Sequence, residues 1–462
     1  MALKQFDVDV AVVGGGPGGL AAAAAIASAF GTDTTVKIYE SLKKYTLQGS
    51  GVLMMPNVQN ALEAIQPSLL QKFITNGVRG GGSKIFDTDD NLLMTIPPGM
   101  TGNIEALSEK YGKAPFFLGW HEIRHLLYES LPDGVVEFDK QMKSYKETED
   151  GVTLHFDHGQ PPVHAKLAVG ADGHFSKVRT QCLNDGPPDF VGSVMWRARI
   201  AWQEGMEDPV DGPSRVYGKP GPMNINKQFA ILFKMGTLEE TKDRAWTWVL
   251  SAPIDVVQEA GVNFDPNVRS IKSVQGDAGG TSSAFENVLK VFANFPDSLM
   301  DIVRTTDSTT VTQHGLYMRP LADNPLFQYQ SPASSDSVAS DSHQTDGESE
   351  QEEVENWGRG RVTLLGDAAH ATIPNGQGLS LAVEDAVVLA WHLKQQGLCP
   401  SALRSYEQEQ LKRVKIIHVK GTDAATPEDR ERYIFKPTFK PLWQKDTSSQ
   451  GRSETCIVDF EC

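Results

Sequence analysis

Short apolar runs separated by turn residues organise this chain. Val8 to Val13 is a valine-rich run interrupted by Asp9, and the alanine-rich stretch Leu20 to Ala29 follows it. A second run, Val36-Lys37-Ile38-Tyr39, comes after a lengthened turn at Phe30 to Thr35. Mainly apolar runs of this length predict buried strands, and the alanine-rich stretch predicts a helix packed on them. Leu167 to Val169 and Val362 to Leu365 repeat the signature far downstream. Gln228 to Lys234 and Arg244 to Leu250 are strand-like too, and alternation puts Trp246 and Trp248 on one side of theirs. These two runs could wall a pocket or fill a core.

The turns that end the runs carry the candidate chemistry. The first run stops at Gly14-Gly15-Gly16-Pro17-Gly18-Gly19, in which Gly14, Gly16 and Gly19 have the spacing of a loop that closely approaches a pyrophosphate. The second run ends at Glu40, an acid placed to hold a ribose hydroxyl pair. Asp172-Gly173 follows the third, with a helix starting at Ser176 to Arg179. The fourth runs into Gly366-Asp367, a bend containing Pro374, Gly376 and Gly378, and then a helix whose N–H groups and dipole face the bend. An acid at a strand's carboxyl end and glycines without side chains suit a flat, partly anionic ligand.

Composition narrows the class. With 462 residues, 40% hydrophobic and 22% charged, the chain is long enough for two cores of a soluble globular protein. The formal charge of −16 argues against a nucleic-acid partner. Asp336, Asp341, Asp346, Glu348, Glu350, Glu352, Glu353 and Glu355 lie in one segment without Lys or Arg, which is expected to be a disordered acidic insertion over residues 331–357. Cys182, Cys399, Cys456 and Cys462 show no metal or disulfide spacing, and the last two fall in a tail expected to fray. Met1 to Phe6 is too short and polar for a signal peptide, and no apolar run reaches the ~20 residues of a membrane span. A soluble, cytoplasmic monomer or homodimer is expected.

Taken together, the Gly14 loop, Asp172-Gly173 and the Gly366 to Gly378 stretch resemble the single-component FAD-dependent aromatic hydroxylases, the family of salicylate hydroxylase and zeaxanthin epoxidase. Gly51-Val-Leu-Met-Met-Pro-Asn57 resembles that family's flavin-adjacent loop. Arg124 with Leu127 and Leu131 resembles the helix whose arginine approaches FAD, and Phe190-x-Gly192-x-x-x-Trp196-Arg197 resembles the entry to the substrate domain. The resemblance covers most of residues 6 to 415; the loop from Pro374 to Gly378 is one residue shorter than is usual.

The resemblance implies an α/β fold: a discontinuous Rossmann-type FAD-binding domain on a parallel sheet (residues 1–75, 105–185 and 358–425), with an inserted α+β substrate domain on a mostly antiparallel sheet (76–104 and 186–330). A tail of unknown role occupies 426–462. It implies FAD held by Gly14, Gly16, Gly19, Glu40, Arg124, Asp172, Gly366, Asp367, Pro374, Gly376 and Gly378. NAD(P)H would be a transient co-substrate, and dioxygen would add to reduced flavin to give a hydroperoxide that oxygenates an aromatic or apolar small molecule. A flavin reductase or halogenase of the same fold is the alternative.

His370 lies in the right loop for catalysis or for packing behind it. Trp196 and Arg197 could face substrate or brace a sheet edge. His121-Glu122-Ile-Arg-His125 matches the HExxH pattern of zinc peptidases. Arg124 and its leucines already account for that helix, so no metal site is expected.

Overall fold

The computed structural model describes residues 6–47, 49–79, 83–96, 104–201, 214–218, 227–236, 245–267, 271–272, 283–319, 356–372, 374–424, 428, 431–435, 437–443 and 455–458. Most of the acidic stretch at 331–357 therefore lies outside the described residues. Trp357, at its end, is buried against His370 and Tyr406, so that end belongs to the core.

The apolar runs form one seven-stranded sheet. Val8–Val13 pairs in parallel with Val36–Tyr39 on one side and Val163–Gly170 on the other, and Val362–Leu364 adds in parallel to Val163–Gly170. Val152–Phe156 and Met142–Glu147 extend it as an antiparallel flank. The helix Pro17–Phe30 packs on this sheet with Leu20 to Ile26 buried, because small side chains let helix and strands approach closely. Its other neighbour is the 19-residue helix Gly378–Gln396, buried along most of its length.

A separate eight-stranded sheet is antiparallel except at one pair. Its order runs Ile271–Lys272, Thr312–Met318, Asp189–Ala201, Ala245–Pro253, Phe229–Met235, Ser214–Tyr217, Ser83–Phe86 and Leu92–Ile96. Alternation gives its long strands two unlike faces. Trp196, Trp246, Trp248 and Leu250 lie on the outer face, in one cluster with Val257, Val288, Leu299 and Val303 of the covering helices. Met195, Phe233, Val249 and Leu316 cluster on the inner face with Phe117. The tryptophans are therefore core, with Trp196 fully buried on the outer face.

A three-stranded sheet (Gly51–Met54, Phe116–Gly119, Val78–Arg79) lies against the eight-stranded one. Gly51 packs against Phe233 and Met235, where a side chain would collide, and Gly236 exchanges backbone hydrogen bonds with Phe117 and Gly119. Among the described residues no helix is long and apolar enough to cross a membrane.

Candidate functional site

Strand register brings the separated motifs together. Val13 is level with Tyr39 and Gly170, and Gly170 with Leu364. Gly14, Glu40, Asp172 and Gly366 thus emerge at one carboxyl edge, where an open parallel sheet takes its ligands. Gly14 has φ +105°, and a Cβ there would meet the Ala171 backbone. One at Gly19 would strike the Gly14 carbonyl, and one at Gly18 would come 2.8 Å from Leu365. Gly16 is the exception, with nothing within 4 Å of its Cβ position, at the uncapped start of the helix. Gly15 is crowded too, by Tyr45 and Glu40, so four of the loop's five glycines are closed in and one borders open space.

Glu40 spends most of its acceptor capacity inside the protein. Its Oε2 accepts from Gly15 N–H (2.7 Å); its Oε1 accepts from Leu42 N–H (2.8 Å) and the Ser41 hydroxyl (3.1 Å). A carboxylate offers about four lone-pair sites, which leaves about one for a ribose hydroxyl. Tyr45 donates to the Gly15 carbonyl (2.7 Å), and Arg124 stacks between Tyr45 and Trp120 while donating to the Thr46 carbonyl. Arg124 is buried, and its visible contacts hold the 45–46 segment in place. Asp172 caps a helix: its carboxylate accepts from the Ser176 hydroxyl and from Lys177 and Val178 N–H, while burial raises its pKa. Gly173 beside it, at φ +78°, borders open space.

The opposite wall is polar and deeply buried. After Gly366 (φ +60°), Asp367–His370 forms a single helical turn within the bend expected from sequence. Asp367 is exposed, and a Cβ at Gly378 would lie 3.9 Å from its Oδ1. Pro374 and Gly376 are exposed as well, and Gly376, at φ +77°, borders open space. Behind them Asp385 accepts from Gly366 N–H (2.8 Å) and the Gln410 amide (2.7 Å) and pairs with His370 Nε2 (2.7 Å). Burial alone would depress the His370 pKa; the Asp385 charge and hydrogen bond outweigh it, and the pKa is raised. His370 is therefore a partner of the wall's scaffold.

A second acid, Glu384, accepts from Asn57 Nδ2 (2.6 Å), which also donates to Gln377 Oε1 (2.9 Å), and is paired with Arg413. Sequence reading placed Asn57 at the end of the flavin-adjacent loop without a role of its own, and passed over Glu384, Gln410 and Arg413 as site builders. The available signal was two adjacent acids, Glu384-Asp385, inside an otherwise apolar helix.

These features fit a flat dinucleotide cofactor. Gly16, Gly173 and Gly376 leave room for close backbone approach, and Asn57 Oδ1 is a buried acceptor without a hydrogen-bond partner among the described residues. Such an orphan costs about 1–3 kcal/mol unless a ligand or water supplies the donor. The strand Gly51–Met54 leads from Phe233 on the inner sheet face to Asn57 beside Gln377, a span of at most about 20 Å. That short segment therefore links the inner face to the wall. Arg197 is half-buried on it with no hydrogen-bond or ion-pair partner for its guanidinium among the described residues, level with Val249 and Thr312. Nearby His314 has its pKa held well below the ordinary value by burial, with the Arg197 and His174 charges adding.

The HExxH residues disperse. Glu122 pairs with Arg199 (2.5 Å), His121 contacts the Thr46 carbonyl (3.1 Å) and His125 pairs with Glu129 (2.8 Å). No group of three or more His, Cys, Asp or Glu that could hold a metal occurs among the described residues.

Comparison with known proteins agrees with the geometry. A family model described as "FAD binding domain" matches residues 7–187 and 333–418, more than half of the chain. The chain belongs to this family, and its relatives are FAD-dependent aromatic monooxygenases. One is a 3-amino-4-hydroxybenzoate 2-monooxygenase of Streptomyces platensis, 26% identical over 94% of this chain and 93% of its own. Another is the chloroplastic zeaxanthin epoxidase of Solanum lycopersicum, 24% identical over 90% of this chain and 54% of its own. Among solved structures, Klebsiella pneumoniae HpxO complexed with FAD and uric acid superposes with a TM-score of 0.64 at 20% identity, covering 91% of this chain and 89% of that one.

Proposed function

We propose that this protein is an NAD(P)H-dependent flavin monooxygenase that hydroxylates or epoxidises a small aromatic or apolar molecule. The carrying observation is an open, glycine-lined strand edge linked through Gly51 to Asn57 with a mainly apolar sheet face, on which Arg197 has no described counter-charge. In this reading residues 1–75, 105–185 and 358–425 form the cofactor domain, and 76–104 with 186–330 form the substrate domain.

FAD, when bound, supplies acceptance of hydride from NAD(P)H and activation of dioxygen. The chain's own groups do the rest. Gly14, Gly16 and Gly19 admit the pyrophosphate, and the last acceptor site of Glu40 takes a ribose hydroxyl. Asp367 takes a sugar-chain hydroxyl, and the Pro374 to Gly378 loop lies against the ring. Phe117, Phe233, Val249 and Leu316 form the dry wall that keeps water from the reacting atoms. Arg197 binds an anionic or electron-rich oxygen of the substrate and fixes its orientation.

The test is a panel of phenolic, heteroaromatic and terpenoid compounds assayed for substrate-stimulated NAD(P)H oxidation under isotopically labelled dioxygen. One labelled oxygen atom in the product is expected. Flavin-dependent turnover with no oxygen transfer to any product would overturn this reading in favour of a reductase or halogenase.

A further inference from the structure

The family match ends at residue 418, yet described segments beyond it are docked. Cys456, expected in a frayed tail, is a buried free thiol, because Glu409 accepts from the N–H groups of Cys456 and Ile457 while pairing with His392. Phe439 and Leu442 join the main core, and Ile457 pairs with Phe439 in a two-stranded sheet. Ile434 packs on Met55 and Tyr111. The Asn60 amide donates to the Pro437 carbonyl, Leu442 N–H to the Ala64 carbonyl, and Lys394 to the Leu442 carbonyl.

These anchors converge on the two helices that begin at the cofactor wall, Pro56–Ile65 and Gly378–Gln396. One buried chain of hydrogen bonds connects the outside to the inside. Arg413 donates to the Tyr433 carbonyl (2.6 Å) and to Glu384; Glu384 accepts from Asn57; and Asn57 donates to Gln377 within the bend. Arg413, Glu384, Asn57 and Gln377 are all nearly inaccessible to solvent, so water does not compete along the route.

We propose that the described parts of 431–458 are a strap that, through Arg413, positions the Gln377 loop against the cofactor. Arg413 is a positioning residue, and the inference rests on the FAD reading above. Linkage supplies its signature: the factor by which the docked strap tightens FAD binding equals the factor by which FAD tightens strap docking.

The experiment uses the full chain with Arg413→Met, Arg413→Lys and Ile434→Asp; the last loosens the strap from outside without touching the buried chain. FAD Kd is titrated by flavin fluorescence, and trypsin cleavage at exposed Arg432 is timed with and without FAD. Expected are a rise in Kd of about tenfold for Arg413→Met and Ile434→Asp, partial recovery with Arg413→Lys, and slower cleavage at Arg432 on adding FAD to the wild type alone. Should Arg413→Met fail to fold, Ile434→Asp carries the test. Unchanged Kd in folded variants, with FAD-independent cleavage of a wild type that binds FAD, overturns the strap. A wild type that binds no FAD overturns the flavin reading and the strap with it.

Discussion

At the Gly14 end of the cradle, close packing sets the shape: Gly14 lies against the Ala171 backbone, Gly19 against the Gly14 carbonyl, and Gly18 against the Leu365 side chain. At the Gly366 end the crowding is looser, with only Ala382 near the Gly366 Cβ position. There the wall hangs on buried side chains, with Asp385 holding Gly366 and His370, and Glu384 holding Asn57, which holds Gln377. The first end is shaped by exclusion and tolerates no added atom at Gly14 or Gly19. The second is shaped by charge and tolerates no lost partner. One cradle thus has a sterically rigid end and an end whose geometry depends on ionisation.

The largest effect should come from removing a partner at the charged end. Asp385→Ala strands His370, the Gly366 N–H and the Gln410 amide together. Breaking a buried pair this way costs about 3–5 kcal/mol where His370 is protonated. Denaturant unfolding measures the loss, and a cost below about 1 kcal/mol would mean the wall does not depend on this acid. At the steric end, Gly19→Ala adds one methyl against the Gly14 carbonyl and should cost about 1–3 kcal/mol, with loss of bound flavin. Full occupancy and wild-type stability in that variant would erase the contrast between the ends.

The same contrast explains what could be read from residues alone. The Gly14 end is local: run, glycines and helix occupy one short stretch, and each glycine's task follows from having no Cβ. Glu40 and Asp172 were legible as strand-end acids, but their contacts to Gly15 N–H and Ser176 depend on loop conformation that spacing does not encode. The Gly366 end is assembled from Asn57, Glu384, Asp385, Gln410 and Arg413, partners separated by up to 327 positions. No periodicity links them. Face parity was half legible: alternation put Trp246 and Trp248 together, while only the covering helices decided that their side is core and that Arg197 faces the other way.

A smaller effect separates wall from ligand contact. Asp367 is exposed, so Asp367→Ala should leave unfolding nearly unchanged and raise the FAD Kd about tenfold, equivalent to about 1.4 kcal/mol. Flavin retained through gel filtration as firmly as in wild type would remove Asp367 from the site.

The smallest effect tests whether the charged end titrates. Because the folded pKa of His370 is raised, its pairing with Asp385 stabilises the fold fully below the ordinary imidazole pKa of about 6.5. That contribution is lost as pH rises through the higher folded value, with a slope of at most about 1.4 kcal/mol per pH unit. His370→Gln has no proton to release, so its stability curve should lack this fall while other titrations remain. Urea unfolding of both proteins, followed from below the ordinary imidazole pKa upward, makes the comparison. Parallel curves would show that His370 is neutral when folded, and the charge at the Gly366 wall would then lie in its acids and the Glu384–Arg413 pair alone.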